Sequence, residues 1–465
     1  MKKINLKFKS DLDDSISSKF NEIARNKIDE FHNFISKISN DNKNIFEWWM
    51  SSPSSRYTLS SPLYFNFCSV YLLIFILEND LKVDEIHVDN IQIKNLFDKI
   101  IKKYNKNILV FTSNYRLKKL KNIFREIISI HLQFINQILR SIICKIIQTD
   151  YRKLLKQKII LIDKFIFPGY VDIERYYPGL INSKNNNNNQ IYFVPALFHF
   201  KLSDLWKTYN KLNSSNYNYL FKERFLSFFD IFDTFLYFIK KNKIILENNQ
   251  VCGFDLSEVI RNELNDNMIS YAAAIESILT MKFIRNINKL NIKVKLAIDW
   301  FENQINDRGW NYGFNKYFPE IETKGYRGLI PSDLLLSEMY PTEDEYRNGM
   351  LPKKICVIGS SLINQIKKYV KSIDVEIAPA FRFQHIWENE YLPSKDQYII
   401  FVALPINFDD SVFILNLVLE SLSNFYSGKF KIFIKPHPTV SINDIKKHFN
   451  REIPDFFEFL AGNTQ

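Results

Sequence analysis

The feature that most constrains this chain is an alternation, carried from residue 85 to residue 435, of short apolar runs with longer stretches of helical periodicity. The runs are Glu85–Asp89, Ile108–Ser113, Ile159–Phe167, Ile191–Leu197, Lys293–Trp300, Ile355–Ser360, Val375–Ala378, Tyr398–Pro405 and Phe430–Lys435. They are rich in Ile, Val and Phe and too short for ordinary helices, so they read as buried strands. Strands that alternate with helices build parallel sheets with the helices laid across their faces. The expected class is therefore α/β, with Rossmann-like domains built on parallel sheets.

At 465 residues the chain exceeds one ordinary domain. Residues 1–80 are expected to form a helical segment packed on the first domain. Residues 81–394 are expected to form a first Rossmann-like domain with helical insertions. It includes a mainly helical stretch at 201–290 and an irregular stretch at 309–353 that holds Gly309, Gly313, Gly325, Gly328 and Gly349. Residues 395–465 are expected to form a second Rossmann-like domain. Only one βαβ crossover is legible there, which leads to the expectation of two strands and a domain cut short. Asn185 to Asn189 read as a low-complexity loop. The uncharged stretch Pro62–Leu77 is short for a bilayer, whose core needs about 20 apolar residues, and reads as a buried core helix, with membrane contact as the alternative.

Composition excludes little. The 62 Lys and Arg against 51 Asp and Glu leave a net charge of +11. That charge favours anionic partners in general, but no RNP-like or helix-turn-helix signature accompanies it, and no nucleic-acid role is expected. Nine basic residues and no acid fall between Lys99 and Arg125 (Lys99, Lys102, Lys103, Lys106, Arg116, Lys118, Lys119, Lys121, Arg125). They form either a solvated helix face or a contact with an anionic bilayer. Cys68, Cys144, Cys252 and Cys356 are too scattered for zinc or a disulfide framework, as in a reduced, cytoplasmic chain. No metal and no cofactor are expected.

The sharpest local signal is Lys435-Pro436-His437-Pro438, directly after a buried strand. Open α/β sheets bind ligands beyond the C-terminal ends of their strands. Lysine supplies a point charge for phosphate and histidine a donor, and the prolines stiffen the loop between them. The competing reading is a turn in which proline merely ends the strand.

A strand, a helix and a second strand ending in IKPHP is similar to the donor domain of bacterial GT-B glycosyltransferases. Teichoic-acid glycerophosphotransferases, polysialyltransferases and capsule or O-antigen transferases are among them. The resemblance implies that His437, with Lys435, contacts the donor phosphates. A second resemblance spans more of the chain. WWMSSPSSRYTLSSPLY (48–64), WFENQINDRGWNYGFNKYFPE (300–320), GYRGLIPS (325–332), YPTEDEYRNG (340–349) and APAFRF (378–383) resemble a family of surface-carbohydrate and O-antigen biosynthesis proteins.

Together these resemblances imply transfer of a sugar from a nucleotide-sugar donor to a surface polysaccharide, O-antigen or capsule acceptor, free or lipid-linked. The expected place is the cytoplasm, peripherally at the inner face of the inner membrane. Such transfer uses a base to take the acceptor hydroxyl proton. Glu302, just past a strand end, is the first choice and Asp307 the second; Asn303, Gln304, Arg308 and Arg327 are the expected acceptor-side residues. Arg382 joins Lys435 and His437 as an expected phosphate contact. In the competing structural reading Asp307 caps a helix and Glu302 pairs with Arg308. The competing functional reading is a non-catalytic, transferase-like binding or scaffold protein without a complete donor site.

Overall fold

A computed structural model describes residues 2–112, 115–148, 152–168, 171, 176–178, 180, 190–266, 268–388, 398–422, 430–437, 440–448, 454 and 457–460. The asparagine run 185–189, Pro438 and the expected boundary at 394/395 lie outside them. The chain divides into two compact units. One comprises Met1–Phe167 with Arg175–Arg382, the other Pro168–Glu174 with Phe383–Gln465.

The first unit opens with a strand that the apolar-run reading does not contain. β1 (Lys3–Leu6) pairs in parallel with β2 (Glu85–Val88), which pairs in parallel with β3 (Leu109–Thr112). The segment 1–80 is therefore not purely helical, and β2 and β3 do not join the sheet that follows. The separation has a packing cause. The helix Leu63–Glu78 is apolar on every side and buried, with Leu63, Phe67, Val70, Leu72 and Leu73 fully covered. It packs beside the helix Ile91–Lys103, whose buried face is Ile93, Leu96, Phe97, Ile100 and Ile101. A helix apolar all round needs cover all round. Each such side chain contributes roughly 1.5–3 kcal/mol when buried.

The larger sheet holds β4 (Lys158–Ile166), β5 (Ile191–Leu197), β8 (Lys293–Trp300), β9 (Glu322–Arg327), β10 (Lys354–Val357) and β11 (Asp374–Ile377). A small antiparallel hairpin of β6 (Gln250–Val251) and β7 (Phe254–Asp255) lies in the helical insertion. All six strands of the larger sheet run parallel, in the spatial order β11-β10-β9-β8-β4-β5. This is a Rossmann-like α/β arrangement. From β4 the chain moves outward to β5, then returns to the other side of β4 and moves outward again through β8, β9, β10 and β11. The direction reverses between β4 and β8. That is a topological switch point, where open parallel sheets leave a crevice at their C-terminal ends.

The stretch 309–353, read as irregular, holds the helix Ile305–Tyr317 and β9. Its glycines hid the helix, because Gly costs about 1 kcal/mol in a helix interior. Here Gly309 and Gly313 let it lie against the helix Met268–Lys289. A Cβ on Gly309 would stand 1.8 Å from the Ser277 carbonyl oxygen, and one on Gly313 would stand 2.8 Å from Ile284 Cδ1. The Gly309 amide donates to Ser277 Oγ at 2.7 Å.

The second unit carries β12 (Tyr398–Ala403), β13 (Phe430–Lys435) and β14 (Phe457–Phe459), all parallel and in that order. The expectation of two strands is corrected: the short β14 supplies a third, which pairs with β13. Val402, Leu404, Leu415, Leu419, Ile432, Ile434, Ile445 and Phe457 form this unit's own core. Asp409 and Asp410 lie in the first turn of the helix Phe408–Leu422, where negative charge meets the positive end of the helix dipole.

Candidate functional site

Two neighbouring strand ends at and beside the switch point carry buried charge. β8 ends in Asp299 and Trp300, β9 in Arg327. The last residue pair joining β4 to β8 is Ile162 with Ile298, so Asp163 and Asp299 follow on adjacent strands. Asp299 is fully buried. Its Oδ2 accepts from Asn311 Nδ2 at 2.9 Å, and its Oδ1 has no partner among the described residues. Burial, and then the neighbouring Asp163, hold its carboxyl well above the usual carboxylate range. Asp163 itself is pushed up to about 7, mainly by burial.

Past β8 the chain turns through Phe301-Glu302-Asn303-Gln304 into the helix Ile305–Tyr317. Glu302 is partly exposed. Its Oε1 accepts from Trp300 Nε1 at 2.7 Å and its Oε2 accepts from the Gln304 side-chain amide. Both carboxylate oxygens are thus aimed by neighbours on the same turn. Burial raises the Glu302 carboxyl from its ordinary value, against the lowering pull of the Trp300 hydrogen bond and of Arg327 and Arg382. Tyr57 lies beside Glu338 and Glu302 and shares a hydrogen bond with Gln304. Around Trp300 stand Tyr176 and Tyr326, with ring centroids at 4.6 and 5.6 Å. The Tyr326 hydroxyl donates to the Pro379 carbonyl at 2.9 Å, tying the APAFRF segment to the end of β9.

Arg327 is the unusual member. It is 1% exposed, and neither Nη1 nor Nη2 has a hydrogen-bond acceptor among the described residues. Glu338, Glu302 and Asp307 surround it electrostatically, yet burial outweighs them and pulls the guanidinium down to about 10. Glu338, buried and beside Glu302, is pushed up to about 8. Buried guanidinium groups are normally fully bonded, and one that is not costs free energy unless something else satisfies it.

The expected acceptor-side residues separate. Glu302, Gln304 and Arg327 come together. Asp307, the second choice for the base, is a helix cap instead: its Oδ2 accepts the backbone amides of Glu302 at 2.9 Å and Gln304 at 3.0 Å. Asn303 and Arg308 bond within a different cluster. Arg308 donates to the Trp49 carbonyl at 2.6 Å, to Ser54 Oγ at 2.7 Å, to the Ser54 carbonyl at 3.0 Å and to Glu345 Oε1 at 2.5 Å. Arg56 reaches the same Glu345 oxygen at 2.7 Å, and Asn303 Nδ2 reaches Glu345 Oε2 at 3.1 Å. Asn303 adopts φ 54°, the left-handed conformation that Asn tolerates better than most residues, and so turns its amide inward.

Arg382 is exposed on a short turn, close enough to Glu302 to lower its carboxyl. In the second unit, described by itself, Lys435 ends the central strand β13 and His437 follows two residues later, both half-buried. The His437 carbonyl accepts from the Val440 amide at 2.8 Å, so the loop turns there. Glu338 and Tyr57 were not singled out by sequence. Glu338 in particular sits in a bland Leu-Ser-Glu-Met stretch whose neighbours are far away in the chain. Among the described residues no group of three His, Cys, Asp or Glu side chains is placed to hold a metal ion, and no helix is long and apolar enough to cross a membrane. In comparisons with known proteins, the chain matches no family model and no curated protein sequence.

Proposed function

We propose that the chain is a glycosyltransferase of the two-Rossmann-domain type. It transfers a sugar from a nucleotide-sugar donor to a surface polysaccharide, O-antigen or capsule acceptor, with Glu302 as the base. One observation carries this reading. A partly exposed carboxylate, oriented by Trp300 Nε1 and the Gln304 amide, stands at the C-terminal edge of a parallel sheet beside its switch point, next to a buried arginine whose Nη1 and Nη2 have no acceptor among the described residues. Sugar hydroxyls suit such a place, since each both donates to a carboxylate and accepts from a guanidinium. The partly exposed ring of Tyr176, packed on the buried Trp300 at 4.6 Å between centroids, adds an apolar surface of the kind a sugar face packs on.

In the reaction Glu302 takes the proton of the attacking acceptor hydroxyl. The oxygen bonds to the anomeric carbon, and the nucleotide leaves with the electrons of the broken bond. A carboxyl raised by burial is a stronger base once ionised. Lys435 and His437, at the end of β13, are the residues proposed to meet the donor phosphates. The sequence resemblances support this assignment, and the half-buried setting of both side chains is compatible with it.

The test is nucleotide release with a panel of UDP-, GDP-, CMP- and TDP-sugars and glycan acceptors. Glu302→Gln is expected to lower turnover by about 10² to 10⁴, the usual range for losing a general base, with donor affinity nearly unchanged by calorimetry. Turnover should rise with pH through a midpoint above the ordinary glutamate value, since burial raises this carboxyl. Unchanged turnover in Glu302→Gln would remove it as the base. Micromolar donor binding without turnover on any acceptor would favour the binding-protein reading.

A further inference from the structure

The long helix Tyr115–Ile147 leaves an apolar stripe in water. Ile128, Leu132, Ile135, Leu139, Ile142 and Ile146 follow one another at spacings of 4, 3, 4, 3 and 4 and are each between 38% and 55% exposed. At 100° per residue, Ile128 and Ile146 point the same way, so the stripe runs straight for about 27 Å. It does not stop at the helix edge. Phe134 on the same helix meets Phe228 and Phe235 of the helix Phe228–Phe235, at ring-centroid distances of 6.2 and 5.1 Å. Phe228, Phe229 and Phe232 there are between 48% and 79% exposed; Phe228 stacks on Phe232 and meets Phe229 edge-on. Two adjacent helices thus present one apolar surface, larger than the scattered exposed residues of ordinary water-facing helices.

We infer that this surface seats the protein on an anionic lipid bilayer, the two helices lying in the interface plane with these side chains in the acyl boundary. The spacing alone would also suit a partner helix in a coiled coil. Two features select the bilayer. The face is widened by the phenylalanines well past a two-position seam. Charge supplies the second: residues 115–147 carry Arg116, Lys118, Lys119, Lys121, Arg125, Arg140 and Lys145 against one acid, Glu126. An apolar, aromatic-rich face joined to a basic end is the pattern of a helix that binds anionic headgroups and buries its other side about 5–10 Å deep. The inference is independent of the transferase reading.

The experiment is co-sedimentation of the whole protein with vesicles of phosphatidylcholine alone and with about one third phosphatidylglycerol. The wild type should sediment with the anionic vesicles and at least about tenfold less with the neutral ones. The triple variant Leu132→Asn/Ile135→Asn/Phe229→Ser should lose at least about tenfold of the anionic binding, since the lost apolar burial enters exponentially. These positions are exposed, so circular dichroism and melting should be unchanged. Light scattering on the same samples separates the alternatives. A wild type that ignores anionic vesicles overturns the proposal. So does a dimer in solution that the triple variant dissociates while vesicle binding stays absent, which would assign the face to a second copy.

Discussion

Arg308 and Arg327 are both fully buried, lie on consecutive elements of the same unit, and were expected to do the same work. Their surroundings differ completely. Arg308 makes four hydrogen bonds that join the helix Ile305–Tyr317 to the Trp49–Ser54 segment and to Glu345. Arg327 has three carboxylates around it and, among the described residues, no hydrogen-bond acceptor on either Nη. A buried charge bonded through both Nη groups holds distant segments together. One left without an acceptor lowers stability, and a site that takes a polar ligand is where such a cost is commonly met. The same contrast separates two glutamates. Burial would raise Glu345, but Arg56 and Arg308 outweigh it and hold it below its ordinary value. Glu338 is raised to about 8 because burial wins and Glu302 adds to it, while Arg327 only partly offsets them.

The largest way to break this comparison is Arg308→Ala. It strips Glu345 of one of its two arginine partners and uncouples the N-terminal segment. We expect a loss of about 3–5 kcal/mol, the usual cost of removing one member of a buried ion network. Urea denaturation measures it, and a loss under about 1 kcal/mol would mean that the network is slack. Arg327→Met should behave in the opposite way. Its stability should change by no more than about 1.5 kcal/mol, since an apolar group of similar length replaces an unbonded charge. Turnover or acceptor affinity should fall by about 10- to 100-fold, the worth of one charged hydrogen bond. A large loss of stability with normal activity would move Arg327 into the class of Arg308.

The smallest effect is in pH. Glu338 has a folded value near 8, above its ordinary 4.5, so the folded state holds the proton more tightly than the unfolded one. Its contribution is fully present below about 4.5 and is lost as pH rises toward 8. Glu338→Gln should therefore match the wild type at low pH and gain on the order of 1–3 kcal/mol on it by pH 8. Glu345 is depressed, so its contribution runs the other way, present above the ordinary glutamate value and lost as pH falls. Melting curves of Glu338→Gln and Glu345→Gln across pH 4 to 9 should both approach the wild type toward the acid end and diverge from it as pH rises, Glu338→Gln to higher and Glu345→Gln to lower stability. Parallel curves would erase the distinction between the two clusters.

Much of the scaffold was legible. Strands 191–197, 293–300 and 430–435 stand where the apolar runs placed them, and the buried helix at 63–78 was read from its lack of charge. What escaped had a common cause. β9 reads Glu-Thr-Lys-Gly-Tyr-Arg, with no apolar run; it is a strand because Thr323 and Gly325 fit between β8 and β10. β1 and β14 have four and three residues, too few for periodicity to register. The helix at 305–317 was concealed by glycines whose purpose is contact with a neighbouring helix.

From composition and periodicity alone came the class, the parallel strands and the placing of Glu302 just past a strand end. Those follow from local rules, since the alternation of strand and helix and the chemistry of a strand's C-terminal end need no long-range partner. Which arginine is bonded and which is not was decided only by the folded chain. Arg308 finds Ser54 across 254 residues and Glu345 across 37. Glu338, Glu302 and Tyr57 are brought around one another by three separate segments. Burial then sets the carboxyl and guanidinium affinities, and burial is a property of what packs above a residue, which no window of neighbouring sequence contains.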